Sequence, residues 1–272
     1  MATVLRQGFV KTASSLRYKH FVNNCVNLLV RNAEMSSTGS ILSKDEVASM
    51  RINYKSHGLK LEEFEKKEPL AMFDAWFKMA KECPLIKEAN SMSLATVSED
   101  FKPSVRIVLL KGYDNAGFRF FTNYSSRKGK DIEKNPNVAV MFYWEPLERQ
   151  VRVEGKVQKL SESESENYFH MRPRASQLGA LASNQSCVIE SKEVSEKRYA
   201  DLEKKYEGVE IPKPDCWGGY QLIPETFEFW CGGKGRMHDR VVFRRPGPAD
   251  AQGKNPFAKI GDDGWVYEFL SP

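Results

Sequence analysis

The sequence lacks the patterns that mark membrane, metal-binding and disulfide-stabilised proteins. No apolar run approaches the ~20 residues that a membrane-spanning helix needs. The five cysteines are an odd number, are widely spread and include no C-x-x-C pair, which argues against both a disulfide framework and a zinc site. The four histidines are equally scattered. We therefore expect free thiols in a reducing compartment, no bound metal and no membrane partner.

The usual nucleotide-binding loops are also absent. Neither G-x-G-x-x-G nor G-x-x-x-x-G-K-[ST] occurs, which excludes the Rossmann and Walker phosphate loops. The formal net charge of +5 is too small for a dedicated nucleic-acid binder. We therefore expect no nucleic-acid partner, and small anions are the ligands that this charge favours.

Acidic residues are missing from the N-terminal segment up to Glu34. Arginine and lysine alternate there with serine and apolar residues, a composition shared by mitochondrial transit peptides and by disordered basic tails. We expect residues 1–50 to form a tail with a targeting role as one option, and residues 51–272 to form a single domain. The predicted location is the cytoplasm, with the mitochondrion as the alternative.

Short strands with a period of two dominate what is present. An amphipathic helix is predicted over Leu70 to Ala80, because its apolar residues recur at helical spacing. Five strands are then predicted, over Ser91 to Val97, Pro103 to Lys111, Gly117 to Thr122, Asn137 to Trp144 and Arg149 to Lys159. Consecutive strands joined by hairpin-like turns predict an antiparallel barrel rather than alternating β and α units.

The second half mixes helices and strands. Helices are predicted over Ser161 to Met171, Ser176 to Ala182 and Ser191 to Tyr206. Strands are predicted over Trp217 to Tyr220, Thr226 to Trp230, Met237 to Arg244 and Trp265 to Leu270, with Pro246 to Gly264 as a loop. The fold class is therefore mainly β (α+β), with helices around the barrel.

The stretch from Phe118 to Lys130 has the pattern of an anion site. An aromatic strand runs into a turn, and Ser126 is placed to cap the helix that follows. Arg127 and Lys128 then fall in the first helical turn, where the helix dipole disfavours cations unless an anion is bound. A phosphate is the usual occupant of such a site, and a solvated basic helix face is the alternative.

Two further sets of residues are candidates for phosphate binding. Arg106 and Lys111 lie five residues apart, so in a regular strand they point to opposite faces and contact two different anions. A core strand with ends that reach water is the alternative. Tyr168 and Arg172 share one helix face, and Ser176 follows just beyond a proline, which predicts a second phosphate pocket or a surface Tyr-Arg stack.

Arg236, His238 and Arg240 alternate along the sequence and would line one face of a strand. Three adjacent groups that can be positive repel one another unless an anion or an electron-rich ring lies across them. A histidine in such a place can move a proton near neutral pH. A phosphomonoester carries about −1.5 to −2 charges at pH 7, so two of them need roughly four cations. Those cations are available from Arg106, Lys111, Arg127, Lys128 and Arg172.

Several longer motifs carry a family resemblance. They occur in this order: RIVLLKGYDNAGFRFFTNYSSRKGK, FYWEPLERQVRVEG, YFHMRPRASQLGA, SNQSCVI, WGGY and FWCGGKGRMHDR. With them, the chain from about Arg51 onward resembles the pyridoxamine 5'-phosphate oxidase family. The resemblance implies an FMN-binding split β-barrel and a homodimer with FMN at the subunit interface. It also implies a flavoprotein oxidoreductase of vitamin B6 metabolism.

The resemblance implies a reaction and a set of site residues. The reaction is oxidation of pyridoxine or pyridoxamine 5'-phosphate to pyridoxal 5'-phosphate, with oxygen reduced to hydrogen peroxide. FMN would be bound by Arg106, Ile107, Val108, Leu109, Phe121, Thr122, Arg127, Lys128, Gln150, Gln185, Ser186, Trp230 and Arg240. Substrate would be bound by Arg51, Tyr54, Lys111, Tyr168, Arg172, Ser176, Arg236 and His238, the last two being the implied catalytic residues.

Two features depart from the family pattern. Cys231 follows Trp230 where the family usually has glutamine, and the stretch after it is richer in glycine. Neither change removes a residue with an implied role, so we expect activity to be retained. The alternative function is a non-catalytic pyridoxal 5'-phosphate binding or carrier protein that kept the pockets.

Overall fold

The computed structural model describes residues 42–56 and 58–272. The chain divides into two compact units, with the boundary between Ile52 and Asn53. In the first unit, helix α1 (Lys44–Ser49) is capped by Ser43 in a capping box, although the sequence analysis predicted no helix there. The targeting prediction concerns residues that lie almost entirely outside the described range.

Helix α2 (Pro69–Glu82) packs its apolar face onto the sheet. The Glu68 side chain caps it by accepting hydrogen bonds from two backbone N–H groups of the first turn, at 2.8 and 2.6 Å. Phe73 and Trp76 are buried, and Phe73 contacts Phe118 edge-on at a ring distance of 4.9 Å. The predicted helix over Leu70 to Ala80 is therefore confirmed, and the observed helix is one residue longer at its start and two residues longer at its end.

The described chain has ten strands in one antiparallel sheet. They are β1 (Ser91–Val97), β2 (Pro103–Leu109), β3 (Gly112–Asp114), β4 (Gly117–Asn123), β5 (Asn137–Trp144), β6 (Arg149–Lys159), β7 (Trp217–Cys231), β8 (Asp239–Arg244), β9 (Lys259–Ile260) and β10 (Val266–Phe269). The order is β2-β1-β5-β6-β7-β8-β10-β9, and β4 joins β3 to the first half of β7. The predicted mainly antiparallel β fold is confirmed.

The core lies on one face of this sheet. In β5, Val138, Val140, Phe142 and Trp144 alternate with more exposed residues, as the period of two predicts. The valines of β6 continue the same buried face. Helix α2 covers this face, where Phe73 packs against Phe142 and Trp144.

Strand β7 corrects the prediction of two separate strands around Pro224. It is continuous over 15 residues and pairs with β6 from Tyr220 to Cys231. Proline has no N–H to donate, and the register shifts between Glu154 and Gly155, opposite Pro224, in the manner of a β-bulge. The bulge lets β7 change its other neighbour from β4 to β8.

Five further helices follow in the described chain. They are α3 (Arg127–Lys134), α4 (Glu162–Met171), α5 (Arg174–Ala182), α6 (Lys192–Lys205) and the short α7 (Pro248–Ala251). The segment from Pro246 to Gly264, predicted as a loop, contains α7 and β9. Within the described part of the chain, no helix is long and apolar enough to cross a membrane.

Candidate active site

A cavity of about 680 Å³ lies where the end of β2, the end of β4 and helices α3, α4 and α5 meet. Among the predicted site residues, it is lined by Arg106, Ile107, Val108, Leu109, Lys111, Phe121, Thr122, Lys128, Tyr168, Arg172, Ser176 and Gln185. These residues come from four separate segments of the sequence. The fold therefore gathers the two predicted phosphate sites into one cavity.

Lys128 is the buried cation of this cavity. Ser126 caps α3 by accepting from the backbone N–H of Gly129, as predicted. The Lys128 ammonium donates to Gln185 Oε1 at 2.8 Å and to Ser126 Oγ at 3.2 Å, and only 8% of the residue is exposed. Burial lowers the pKa of Lys128 to about 8, and the nearby Arg106 charge adds to this effect. A bound anion would offset both costs.

Arg106 is held in place by hydrogen bonds to the neighbouring strand β1. Its guanidinium donates to Thr96 Oγ1 at 2.7 Å and to the Leu94 carbonyl at 3.1 Å. Asp131 of α3 lies 3.8 Å from it and accepts a hydrogen bond from Thr96 at 2.6 Å. Burial lowers the pKa of Arg106, Asp131 opposes this, and the Arg127 charge adds to it.

An aromatic wall fixes the other end of the cavity. Phe121 stacks on Tyr168 with ring centroids 3.9 Å apart and on Trp217 at 5.5 Å. The Arg172 guanidinium lies 4.6 Å from the Trp217 ring centroid, in cation–π geometry. Its Nη1 is buried without a hydrogen-bond partner in the described structure, and burial lowers its pKa. An acceptor-rich ligand such as a phosphate would satisfy that donor.

The cavity is strongly positive. Arg106, Lys111, Lys128 and Arg172 line it, and no carboxylate is among the described residues that do so. Two phosphomonoesters carry about −3 to −4 charges together, so four cations are of the right number to balance them. The described residues contain no group of three or more His, Cys, Asp or Glu side chains placed to hold a metal ion.

The opposite-face argument for Arg106 and Lys111 is wrong. It assumed a regular strand through both residues, but β2 ends at Leu109 and the Lys111 N–H bonds the Arg119 carbonyl of β4 at 2.8 Å. Both side chains therefore line the same cavity. If two anions bind, as the sequence analysis predicted, they would occupy two positions within this one cavity.

A second group of predicted residues lies at the other end of β7. The Tyr54 ring meets the rings of Trp230 and His238 edge-on, with centroids 5.5 and 5.4 Å away. The Gly233 N–H donates to His238 Nδ1 at 3.1 Å. With Nδ1 as acceptor, a neutral His238 carries its proton on Nε2, where it can be donated to a ligand.

Arg236, His238 and Arg240 do not line one strand as predicted. A 3₁₀ turn (Lys234–Arg236) precedes β8, which begins only at Asp239. Arg240 is also not an unbalanced charge, because the buried carboxylate of Glu228 on β7 accepts from it at 2.8 Å. Sequence spacing could not show this partner, which comes from the neighbouring strand.

The two groups are far apart within one chain. On β7, Gly219 pairs with Phe121 of the cavity, whereas Trp230 pairs with Gln150 of the second group. The eleven steps from Gly219 to Trp230 span roughly 35–37 Å along a regular strand. None of the second group lines the cavity. A ligand of mononucleotide size therefore cannot contact both groups of the same chain.

Comparison with known proteins identifies the family. A family model described as pyridoxamine 5'-phosphate oxidase matches residues 80–206, and one described as the pyridoxine 5'-phosphate oxidase C-terminal dimerisation region matches residues 217–272. The chain belongs to the pyridoxamine 5'-phosphate oxidase family. The first match contains the whole cavity apart from Trp217, and the second contains Trp217, Trp230, His238 and Arg240.

Full-length relatives agree with this assignment. The chain is 53% identical over 205 residues to pyridoxine-5'-phosphate oxidase of Bos taurus, which covers 75% of this chain and 78% of that protein. It is 48% identical over 257 residues to pyridoxine/pyridoxamine 5'-phosphate oxidase of Bombyx mori, which covers 92% of this chain and all of that protein.

Solved structures of the family share the fold. PhzG from Burkholderia lata, crystallised with tetrahydrophenazine-1-carboxylic acid, matches with a TM-score of 0.69 and 26% identity over 80% of this chain and 99% of its own. A pyridoxamine 5'-phosphate oxidase-related FMN-binding protein from Nostoc punctiforme matches with a TM-score of 0.55 and 16% identity over 75% and 98%. The predicted split-barrel fold is confirmed.

Three residues of the second unit that the family resemblance implies lie outside both groups. Arg127 is exposed and does not line the cavity, although its charge lowers the pKa of Arg106. Arg51 belongs to the first unit and is exposed. Ser186 and Arg236 are exposed with positive φ angles of 69° and 67°. Their predicted roles stay predictions.

The sequence analysis assigned no role to several residues that shape the site. The sequence analysis named Trp217 only as the start of a strand and as part of WGGY. In the structure, its ring packs against the Arg172 guanidinium. Thr96, Asp131 and Glu228 orient the arginines and come from other strands or helices. These residues could have been found only by knowing which carboxylates lie next to which arginines in the fold. The sequence does not contain that information.

Proposed function

We propose that this protein is an FMN-dependent oxidase that converts pyridoxine 5'-phosphate or pyridoxamine 5'-phosphate to pyridoxal 5'-phosphate in vitamin B6 metabolism. The alcohol and oxygen would give the aldehyde and hydrogen peroxide, and the amine would also take up water and release ammonia. The single observation that carries the proposal is the cavity lined by four cations and an aromatic wall, in a chain of this family. The names of its relatives agree with it.

The residues of the cavity fit a phosphorylated cofactor. Lys128, buried at the start of α3, and the half-buried Arg106 on β2 would hold the FMN phosphate together with Thr122 and Gln185. When bound, FMN would accept the two electrons that the substrate loses. The buried Arg172 Nη1 without a partner is an observation of the protein itself that fits such anionic ligands.

The substrate phosphate would be bound at the aromatic end. Lys111, Tyr168, Arg172 and Ser176 line the cavity, and the stack on Trp217 holds the Arg172 guanidinium in a fixed orientation. A guanidinium that is already held in one orientation binds a phosphate better than a mobile guanidinium does, because less conformational entropy is lost on binding.

We infer that the complete site forms between two copies of the chain. The second group, with Gln150, Trp230, His238 and Arg240, is too far from the cavity of its own chain. A partner copy would bring it there, and residues 217–272 match a region described as a dimerisation region. His238 would then donate its Nε2 proton to the substrate and orient its ring, with Arg236 beside it.

Purified protein tests the proposal. We expect it to retain or take up FMN, and to form pyridoxal 5'-phosphate and hydrogen peroxide in equal amounts from pyridoxine 5'-phosphate. Tight binding of pyridoxal 5'-phosphate without turnover would instead support the carrier function. Protein that cannot be loaded with FMN would overturn the proposal.

A further inference from the structure

A segment that precedes α2 in the sequence is hydrogen-bonded next to the second group of residues. We call residues 53–56 the strap. The carboxylate of Glu148, between β5 and β6, accepts the Lys55 N–H at 2.7 Å on Oε2 and at 3.0 Å on Oε1. The Ser56 N–H donates to Oε2 at 2.7 Å. Two consecutive backbone donors thus meet one carboxylate, which is a strong arrangement because the acceptor is charged.

The backbone of Glu148 is unusual for its residue type. Its φ angle is +53°, in the left-handed region that glycine, asparagine and aspartate adopt more readily than glutamate. Its carbonyl also accepts the Gly232 N–H at 2.8 Å, which ties the turn to the end of β7. A strained backbone with a fully engaged side chain is a common feature of residues that position others.

The strap also contacts the end of β7 directly. Ser56 Oγ lies 2.9 Å from the buried Sγ of Cys231. A Cβ atom on Gly232 would lie 2.8 Å from the Tyr54 ring and 3.1 Å from Glu148 Cβ, so only glycine leaves room for this packing. The Tyr54 ring is therefore confined among Gly232, Trp230 and His238.

We propose that Glu148 is a positioning residue that seats Tyr54 against Trp230 and His238 by holding the strap. The carboxylate does not touch these rings, so it acts through the backbone of Lys55 and Ser56. The consequence for substrate binding rests on the proposed function, because Tyr54 would then cover the substrate ring. The positioning itself is a property of the protein alone.

Hydrogen exchange tests the positioning without reference to catalysis. In Glu148→Gln, one acceptor oxygen is replaced by an NH₂ group that faces two N–H donors. We expect the Lys55 and Ser56 amides to exchange at least about tenfold faster in this variant, as the loss of a charge-assisted hydrogen bond predicts. Glu145→Gln is the matched control, since Glu145 is exposed on the same turn. Equal exchange in both variants and wild type would overturn the proposal.

A second variant controls for the possibility that Glu148→Gln fails to fold. Glu148→Asn removes the long carboxylate but places a residue that tolerates positive φ at this turn. We expect the same loss of protection, with the better-tolerated backbone of asparagine offsetting part of the loss in thermal stability. Protection that persists in Glu148→Asn would show that the carboxylate does not hold the strap.

Steady-state kinetics then separate this inference from the proposed function. We expect both Glu148 variants to raise the KM for pyridoxine 5'-phosphate on the order of tenfold, with kcat and FMN content close to wild type. Faster exchange with an unchanged KM would contradict the link between Tyr54 and substrate. If the wild type itself shows no turnover, the proposed function fails while the exchange result still decides the role of Glu148.

Discussion

At the residue scale, Lys128 is the clearest case of a side chain whose chemistry is set by burial. Its ammonium is almost fully enclosed, with two neutral hydrogen-bond acceptors and Arg106 nearby. Its pKa of about 8 in the folded state lies below the ordinary value of 10.5. Between these pH values the unfolded chain binds more protons, so the ligand-free protein should become more stable as pH rises through this range.

The same shift predicts how FMN affinity depends on pH. The FMN phosphate is already dianionic at pH 7.5, so the loss of the Lys128 proton would dominate at higher pH. We expect the affinity to fall by about tenfold per pH unit above about 8. Equilibrium titrations of the apoprotein from pH 7 to 9.5 measure this.

Lys128→Arg is the matched control for that titration. Arginine keeps its charge at every pH used, so the fall in affinity should disappear even if the affinity at pH 7 is lower. Lys128→Met should bind FMN weakly throughout, by roughly 10- to 100-fold at pH 7. An equal fall in the arginine variant would place the titrating group elsewhere.

At this scale the sequence indicates which residues are candidates for binding a ligand, but it does not indicate which other residues hold them in place. The sequence predicts cations at 106, 111, 128 and 172, because charges next to a cap and a strand end are visible locally. The pairing of Arg106 with Asp131 and Thr96, and of Arg240 with Glu228, depends on strands that are distant in sequence. Hence Arg240 was expected to be unbalanced and is not.

At the element scale, the start of α3 joins fold stability to ligand binding. Ser126 Oγ accepts from the Gly129 N–H and from Lys128 Nζ, and donates to the Asn123 carbonyl at 2.6 Å. Gly129 is required there, because a Cβ atom would lie 2.0 Å from the Tyr124 carbonyl oxygen. The turn and the helix start therefore form one compact unit under the cavity.

We expect Ser126→Ala to lower the free energy of unfolding by about 1–2 kcal/mol and to weaken FMN retention. Ser161→Ala is the matched control, because Ser161 caps α4 at the end away from Tyr168 and Arg172. It should cost a similar amount in denaturant unfolding but leave FMN retention unchanged. Equal FMN loss in both variants would indicate general destabilisation rather than a local role of the α3 cap.

Secondary structure was predictable where period and caps agree, as in α2, α4 and β5. It was not predictable where tertiary pairing overrides local signals. Pro224 indicated a strand break, but pairing with β6 carries β7 past it through a bulge. The end of β2 at Leu109 also has no local signal, and this is why the face argument for Lys111 failed.

At the scale of the whole molecule, two groups of predicted site residues lie at opposite ends of β7. The cavity has cations and an aromatic wall, and the other group has Trp230, His238 and the strapped Tyr54. The family resemblance implied an interface site, whereas sequence spacing alone predicted the two groups separately and did not say which chain would supply each. The length of β7 is what separates them.

The most direct test of this account uses a mixed dimer of Arg172→Ala and His238→Ala chains with different affinity tags, purified through both tags. Each homodimer carries its defect in both sites and should be nearly inactive. In a mixed dimer built across two-fold symmetry, one site would receive both defects and the other neither. We predict recovery of about half of the wild-type turnover of pyridoxine 5'-phosphate per dimer. A mixed dimer as inactive as the two homodimers would contradict the account, because each site would then be drawn from a single chain.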